Sequence, residues 1–139
     1  MIQGLSHMTF IVANLDRMET ILTRVFDARK VYDSGTETFS LSKERFFLIG
    51  AGEKSLWVAI MEGEPLPSRT YNHLAFKIEN SDFEHYAQRI RALGLEMREG
   101  RARVAGEGQS LYFYDDDNHL FELHTGTLDE RLQRYAKKR

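Results

Sequence analysis

Ser6-His7-Met8-Thr9-Phe10-Ile11-Val12 and Asn72-His73-Leu74-Ala75-Phe76-Lys77-Ile78 share the pattern His-x-x-Phe-x-(Val/Ile) at an offset of 66 residues. Each reads as a strand, and each is followed by the start of an amphipathic helix. In the first copy Asn14 caps Leu15, Met18, Ile21, Leu22 and Val25 or Phe26 at helical spacing. In the second, Ser81 or Asp82 caps Phe83, Tyr86, Ile90 and Leu93, with Gly94 as the stop. Short strands then follow in both copies: 31–32, 38–41, 46–49 and 56–61 in the first, 95–97, 111–114 and 120–124 in the second. A short sequence match carries little weight alone, but the same order of elements behind it marks a duplication. The expected fold class is α+β, with two paired β-α-β-β-β modules over about 1–62 and 70–126. Residues 62–69, which hold both prolines, link them, and an amphipathic helix over 127–139 with Leu128, Leu132 and Tyr135 on one stripe closes a single domain spanning 1–139.

Composition narrows the class of function. The chain has 139 residues, 42% of them hydrophobic, enough for a real core. Its net charge of −2, with both signs spread along the chain, gives no electrostatic footprint for nucleic acid or an acidic membrane. No apolar run approaches the ~18 residues of a membrane span, and the first residues lack the pattern of a signal peptide. There is no cysteine, so neither disulfides nor a protein thiolate is available. These features point to a soluble, cytoplasmic domain.

Strand alternation puts Leu5, His7, Thr9 and Ile11 on one face of the first repeat strand, and Tyr71, His73, Ala75 and Lys77 on the matching face of the second. The last hairpin, Ser110 to Gly126, plants Glu122 between Phe121 and Leu123. A carboxylate in such a setting needs a cation, hydrogen bonds or water. Aligning Leu56-Trp57-Val58-Ala59 with Leu120-Phe121-Glu122-Leu123 makes Val58 its counterpart. Three of four repeat-equivalent positions then carry ligand-type residues: His7, His73 and Glu122. One strand histidine is usually structural, whereas two imidazoles and a carboxylate at equivalent places describe an open catalytic site for a divalent ion. His124 shares the face of Glu122 and competes as a ligand, ranked as a supporting or substrate contact. His119 and His85 read as surface residues, and Asp115 to Asp117 as a turn, because the glycine and distal glutamate of a calcium loop are missing.

At this point the residues resemble a known family. Gly4 to Val12, Phe39 to Ile49, Trp57 to Met61, Tyr71-Asn-His73, Gly106-Glu-Gly108, Ser110 to Asp115 and Phe121 to Leu128 with Glu130-Arg131-Leu132 are similar to the vicinal oxygen chelate superfamily. Within it they resemble the fosfomycin resistance proteins of the hydrolase type, over essentially the whole chain. The resemblance implies a vicinal oxygen chelate fold in a domain-swapped homodimer. It implies Mn²⁺, or another divalent ion, on His7, His73 and Glu122, the first histidine coming from one subunit and the other two ligands from its partner. It further implies that Glu44 is the general base for water, and that Thr9, Ser110, Tyr112 and Arg131 contact a phosphonate epoxide. Arg103 is the expected second cation in the 101–109 loop, and Trp57 and Tyr71 are expected to wall the pocket. The turn Ala51-Gly-Glu-Lys-Ser55 is longer than in the family. The expected reaction is addition of water at C1 of fosfomycin to give a vicinal diol, conferring resistance. The rivals are a thiol transferase on the same metal site and a non-haem Fe(II) dioxygenase or lyase, which uses a similar donor set.

Overall fold

A computed structural model of the chain describes residues 1–98 and 107–137. They fall into two compact units, Met1–Pro67 and Ser68–Arg139. The first contains β1 (His7–Val12), α1 (Leu15–Phe26), β2 (Arg29–Asp33), β3 (Glu44–Ile49) and β4 (Leu56–Glu62). The second contains β5 (His73–Lys77), α2 (Phe83–Ala92), β6 (Met97–Arg98), β7 (Ser110–Tyr114), β8 (Leu120–His124) and α3 (Leu128–Lys137). The sheets run β1-β4-β3-β2 and β5-β8-β7-β6, so the duplication is literal at the level of topology. In each, the repeat strand pairs parallel with the last strand, and the remaining pairs are antiparallel.

Local chemistry sets the helix ends. The Asn14 side chain accepts from Arg17 N–H at 3.0 Å, and Asp27 turns left-handed at φ 55 so that Ala28 N–H closes on the Leu22 carbonyl at 3.0 Å. Met18, Ile21, Leu22 and Val25 bury their stripe with Val12, Phe47, Val58 and Ile60 of the adjoining sheet. In the second unit Ala87 and Ile90 of α2 are buried with Leu111, Phe113, Phe121 and Leu123, where the rings of Phe113 and Phe121 stack at 5.5 Å. Each sheet thus gives one face to a helix. The other face carries the residues of functional interest.

The strand expected over Thr38–Leu41 does not form. Ser34 N–H donates to the Glu44 carbonyl and Glu44 N–H to Ser34 Oγ, both at 3.0 Å, so β2 and β3 close directly on each other. Residues 35–43 lie outside that ladder, and Phe39 and Leu41 are exposed. The structure also corrects the counterpart of Glu122. His7 pairs with Trp57 and Thr9 with Ala59, while His73 pairs with Leu120 and Ala75 with Glu122. Glu122 therefore corresponds to Ala59. Val58 sits one residue away and so points to the opposite face, buried in the α1 core. The expected apolar fourth position survives the correction.

Candidate metal centre

In the second unit, paired residues share a face, which places His73, Ala75, Glu122, His124, Ser110, Tyr112 and Arg98 together. His73 Nδ1 lies 2.7 Å from the Tyr71 carbonyl. A carbonyl only accepts, so Nδ1 carries a proton, and in the neutral ring Nε2 is left with its lone pair toward the cavity. That lone pair stands 3.0 Å from Glu122 Oε1. Two acceptors facing one another at this distance call for a cation or a proton between them. The hydrogen bond behind the ring is also the usual device for setting a ligand histidine's tautomer.

Glu122 is buried, and its second oxygen accepts from Ser110 Oγ at 2.5 Å. Ser110 Oγ in turn meets His124 Nδ1 at 2.7 Å. Tyr112 completes the surround: burial, then its bond to Tyr71 OH at 3.1 Å, then the Glu122 carboxylate push its ionisation well above the ordinary tyrosine range. Its hydroxyl keeps its proton. Tyr71 tilts over His73 at 4.8 Å and carries the Arg98 guanidinium on its ring at 4.6 Å. Lys77 donates to the carbonyls of Ile78 and Thr125 at 2.9 and 2.8 Å, which spends its charge on the backbone.

Arg131 lies in the first turn of α3. There Glu130 N–H donates to Thr127 Oγ1 at 3.1 Å and Thr127 Oγ1 donates to Glu130 Oε1 at 3.0 Å, a Thr-x-x-Glu start. Arg131 Nε is 4.0 Å from Oε1 of the buried Glu107. Glu107 is seated by a close crossing of Gly108 and Gly126: a Cβ on Gly108 would lie 2.5 Å from Gly126 N. Arg103 lies outside the described residues.

In the first unit, the register puts His7, Thr9, Glu44, Phe46 and Trp57 on one sheet face. His7 and Trp57 stack at 4.2 Å, and Phe46 meets Trp57 edge-on at 5.3 Å. His7 Nδ1 is 2.9 Å from Ser6 Oγ, leaving Nε2 of this exposed ring available. Glu44 opens β3 opposite Met61 and is half-buried.

Two sequence readings shift. His119 was expected at the surface, but its side chain is largely buried and lies 2.7 Å from Asp115 Oδ2. Asp115 Oδ1 also accepts the N–H groups of Asp117 and His119, so Asp115, Asp117 and His119 lock the expected turn. The Ser110–Glu122–His124 chain was not foreseen as a unit. Only the cross-strand register reveals it.

Residues 4–123 match the profile of the Glyoxalase/Bleomycin resistance protein/Dioxygenase superfamily. The fosfomycin resistance protein FosX of Mesorhizobium japonicum is 66% identical over 137 residues, covering 99% of this chain and 96% of its own length. A metallothiol transferase FosB from Staphylococcus saprophyticus is 33% identical, over 100% of this chain and 87% of its own. A crystal structure of a FosX variant from Listeria monocytogenes, complexed with Mn(II) and 1S,2S-dihydroxypropylphosphonic acid, superposes with a TM-score of 0.85 at 52% identity, covering 97% of this chain and 99% of that one.

Proposed function

The chain belongs to the glyoxalase/bleomycin resistance protein/dioxygenase superfamily, and on that premise we propose that it is a Mn²⁺-dependent hydrolase that opens the oxirane of fosfomycin with water. The observation that carries the reading is His73 Nε2 facing Glu122 Oε1 at 3.0 Å, on a face that also offers hydrogen-bond donors for a phosphonate. The 66% identity to a FosX protein, against 33% to a thiol transferase, favours water over a thiol as nucleophile.

His7, His73 and Glu122 hold the ion, and Mn²⁺ bound there supplies Lewis-acid stabilisation of charge developing on the oxirane oxygen. Other divalent ions suit the same donors. Arg131 and the hydroxyls of Tyr112 and Thr9 bind the phosphonate, while Trp57 and Tyr71 wall the pocket and fix which carbon faces the nucleophile. Arg103 is assigned a second cationic contact. Glu44 takes a proton from water as its oxygen bonds to C1; the C1–O bond breaks, and the released oxygen is protonated to give the diol. General-base help of this kind contributes roughly 10²- to 10⁴-fold.

The working form is a homodimer in which the first unit of one subunit supplies His7 and the second unit of its partner supplies His73 and Glu122. Its isologous symmetry builds two such sites. The exposure of Leu5, Phe39 and Leu41, and of Leu128 and Leu132 on α3, supports an assembly that covers them. Among the described residues no helix is long and apolar enough to cross a membrane, in keeping with a cytoplasmic enzyme.

The test is ³¹P NMR of fosfomycin incubated with the Mn²⁺ protein, with and without glutathione, for wild type and Glu44→Gln. Diol formed without thiol and lost in the variant is expected. A thiol adduct as the sole product would transfer the assignment to a thiol transferase.

A further inference from the structure

We infer that His124, acting through the Ser110 hydroxyl, is a positioning residue that fixes the Glu122 carboxylate for metal binding. The inference rests on the metal assignment of Glu122 proposed above. It starts from proton counting. A carboxylate accepts and cannot donate, so the 2.5 Å contact between Ser110 Oγ and Glu122 Oε2 uses the single serine proton. His124 Nδ1, 2.7 Å from the same oxygen, must then be the donor to Ser110. At 3.5 Å from Glu122 Oε2, His124 Nδ1 is beyond good hydrogen-bond range of the carboxylate. Its effect reaches Glu122 through Ser110.

The backbone enforces this chain. Alternation along β8 puts Glu122 and His124 on one face, and β7 sets Ser110 opposite His124 and Tyr112 opposite Glu122. The His124 ring passes close to Gly126, where an added Cβ would lie 2.8 Å from its Nε2. Lys77, opposite His124 on β5, is turned to the backbone carbonyls of Ile78 and Thr125. In this arrangement the Ser110 proton is given to Glu122. Ser110 thereby holds one carboxylate oxygen while the other faces His73 Nε2.

Removing an outer partner of a ligand typically costs about 10- to 100-fold in metal affinity. The experiment measures Mn²⁺ affinity by EPR of the free aquo ion, alongside kcat, KM and the melting temperature of chelator-treated protein. The variants are His124→Leu, His124→Asn, Ser110→Ala, the double variant Ser110→Ala/His124→Leu, and Glu122→Gln. His124→Leu and Ser110→Ala should each weaken Mn²⁺ binding about tenfold or more. His124→Asn, which keeps an N–H near the Nδ1 position, should recover most of the loss. The double variant should lose little beyond the larger single loss, since both act through one chain.

Wild-type affinity in folded Ser110→Ala or His124→Leu overturns the inference. So does His124→Asn binding as weakly as His124→Leu, which would mark the ring as packing alone. If Glu122→Gln itself binds Mn²⁺ like wild type, the metal assignment fails, and this inference with it. If Glu122→Gln loses the ion while the other variants keep it, only the relay falls.

Discussion

Gly108→Ala tests how the Arg131 side of the site is built. Gly108 has φ +80, and an added Cβ would lie 2.5 Å from Gly126 N, 2.7 Å from Gly126 Cα and 3.1 Å from Thr125 Oγ1. The left-handed backbone costs a non-glycine residue about 1–2 kcal/mol. To reach ordinary contact the two segments must also part by roughly 1 Å. That movement strains two bonds which clamp them, Gln109 N–H to Thr125 Oγ1 at 2.9 Å and Thr125 N–H to the Gln109 carbonyl at 3.0 Å. Each is worth about 1 kcal/mol net, so the expected total is about 2–4 kcal/mol. For a chain of this length that lowers Tm by roughly 6–16 °C. Gly94→Ala is the control: φ is +66 there but nothing lies within 4 Å of the added Cβ, so only the backbone cost of about 1–2 kcal/mol applies. Because Glu107, next to Gly108, pairs with Arg131, Gly108→Ala should also raise KM for fosfomycin more than it lowers kcat, whereas Gly94→Ala should leave both unchanged. Equal stability losses in calorimetry, or an unchanged KM for Gly108→Ala, would refute the crossing as the device that seats Arg131.

Other consequences are as direct. Asp33 is held below the ordinary carboxylate range, first by the Gly35 N–H at 2.8 Å and then by Lys30 and Arg45. A depressed folded value contributes stability above the unfolded value near 3.8 and loses it as pH falls through the folded one. Asp33→Asn should therefore be less stable than wild type at pH 7, with the gap closing as pH falls below 3.8 in urea titrations. Phe121→Ala empties a site that is 1% exposed beside Phe113 and should cost about 3–5 kcal/mol, read from the urea midpoint. Chelation should abolish turnover and lower Tm. Mn²⁺ restored to 100 times its Kd should return about 2.7 kcal/mol, and a metal-independent Tm would contradict the proposed site.

Much of this protein was written in short-range pattern. The His-x-x-Phe-x-(Val/Ile) echo between residues 7–12 and 73–78, with a capped helix behind each copy, sufficed for the paired β-α-β-β-β plan, because alternation and helical spacing belong to consecutive residues. The same alternation put His7 with Thr9 and Glu122 with His124 on single faces. What pattern could not supply was register. Whether Val58 or Ala59 answers Glu122 is a one-residue question, and the β1–β4 and β5–β8 hydrogen bonds decide it between segments about 50 residues apart. Thr38–Leu41 looked like a strand by composition but lost its place in the ladder when Ser34 closed on Glu44. His119 looked like a polar turn residue until Asp115 folded back onto it. Sequence by itself named the residues to which the proposal assigns ligand and base chemistry, and the strand face that each of them occupies. Tertiary structure decided which of them share protons, since Ser110 is committed to Glu122 and His124 by cross-strand neighbours that no local periodicity specifies.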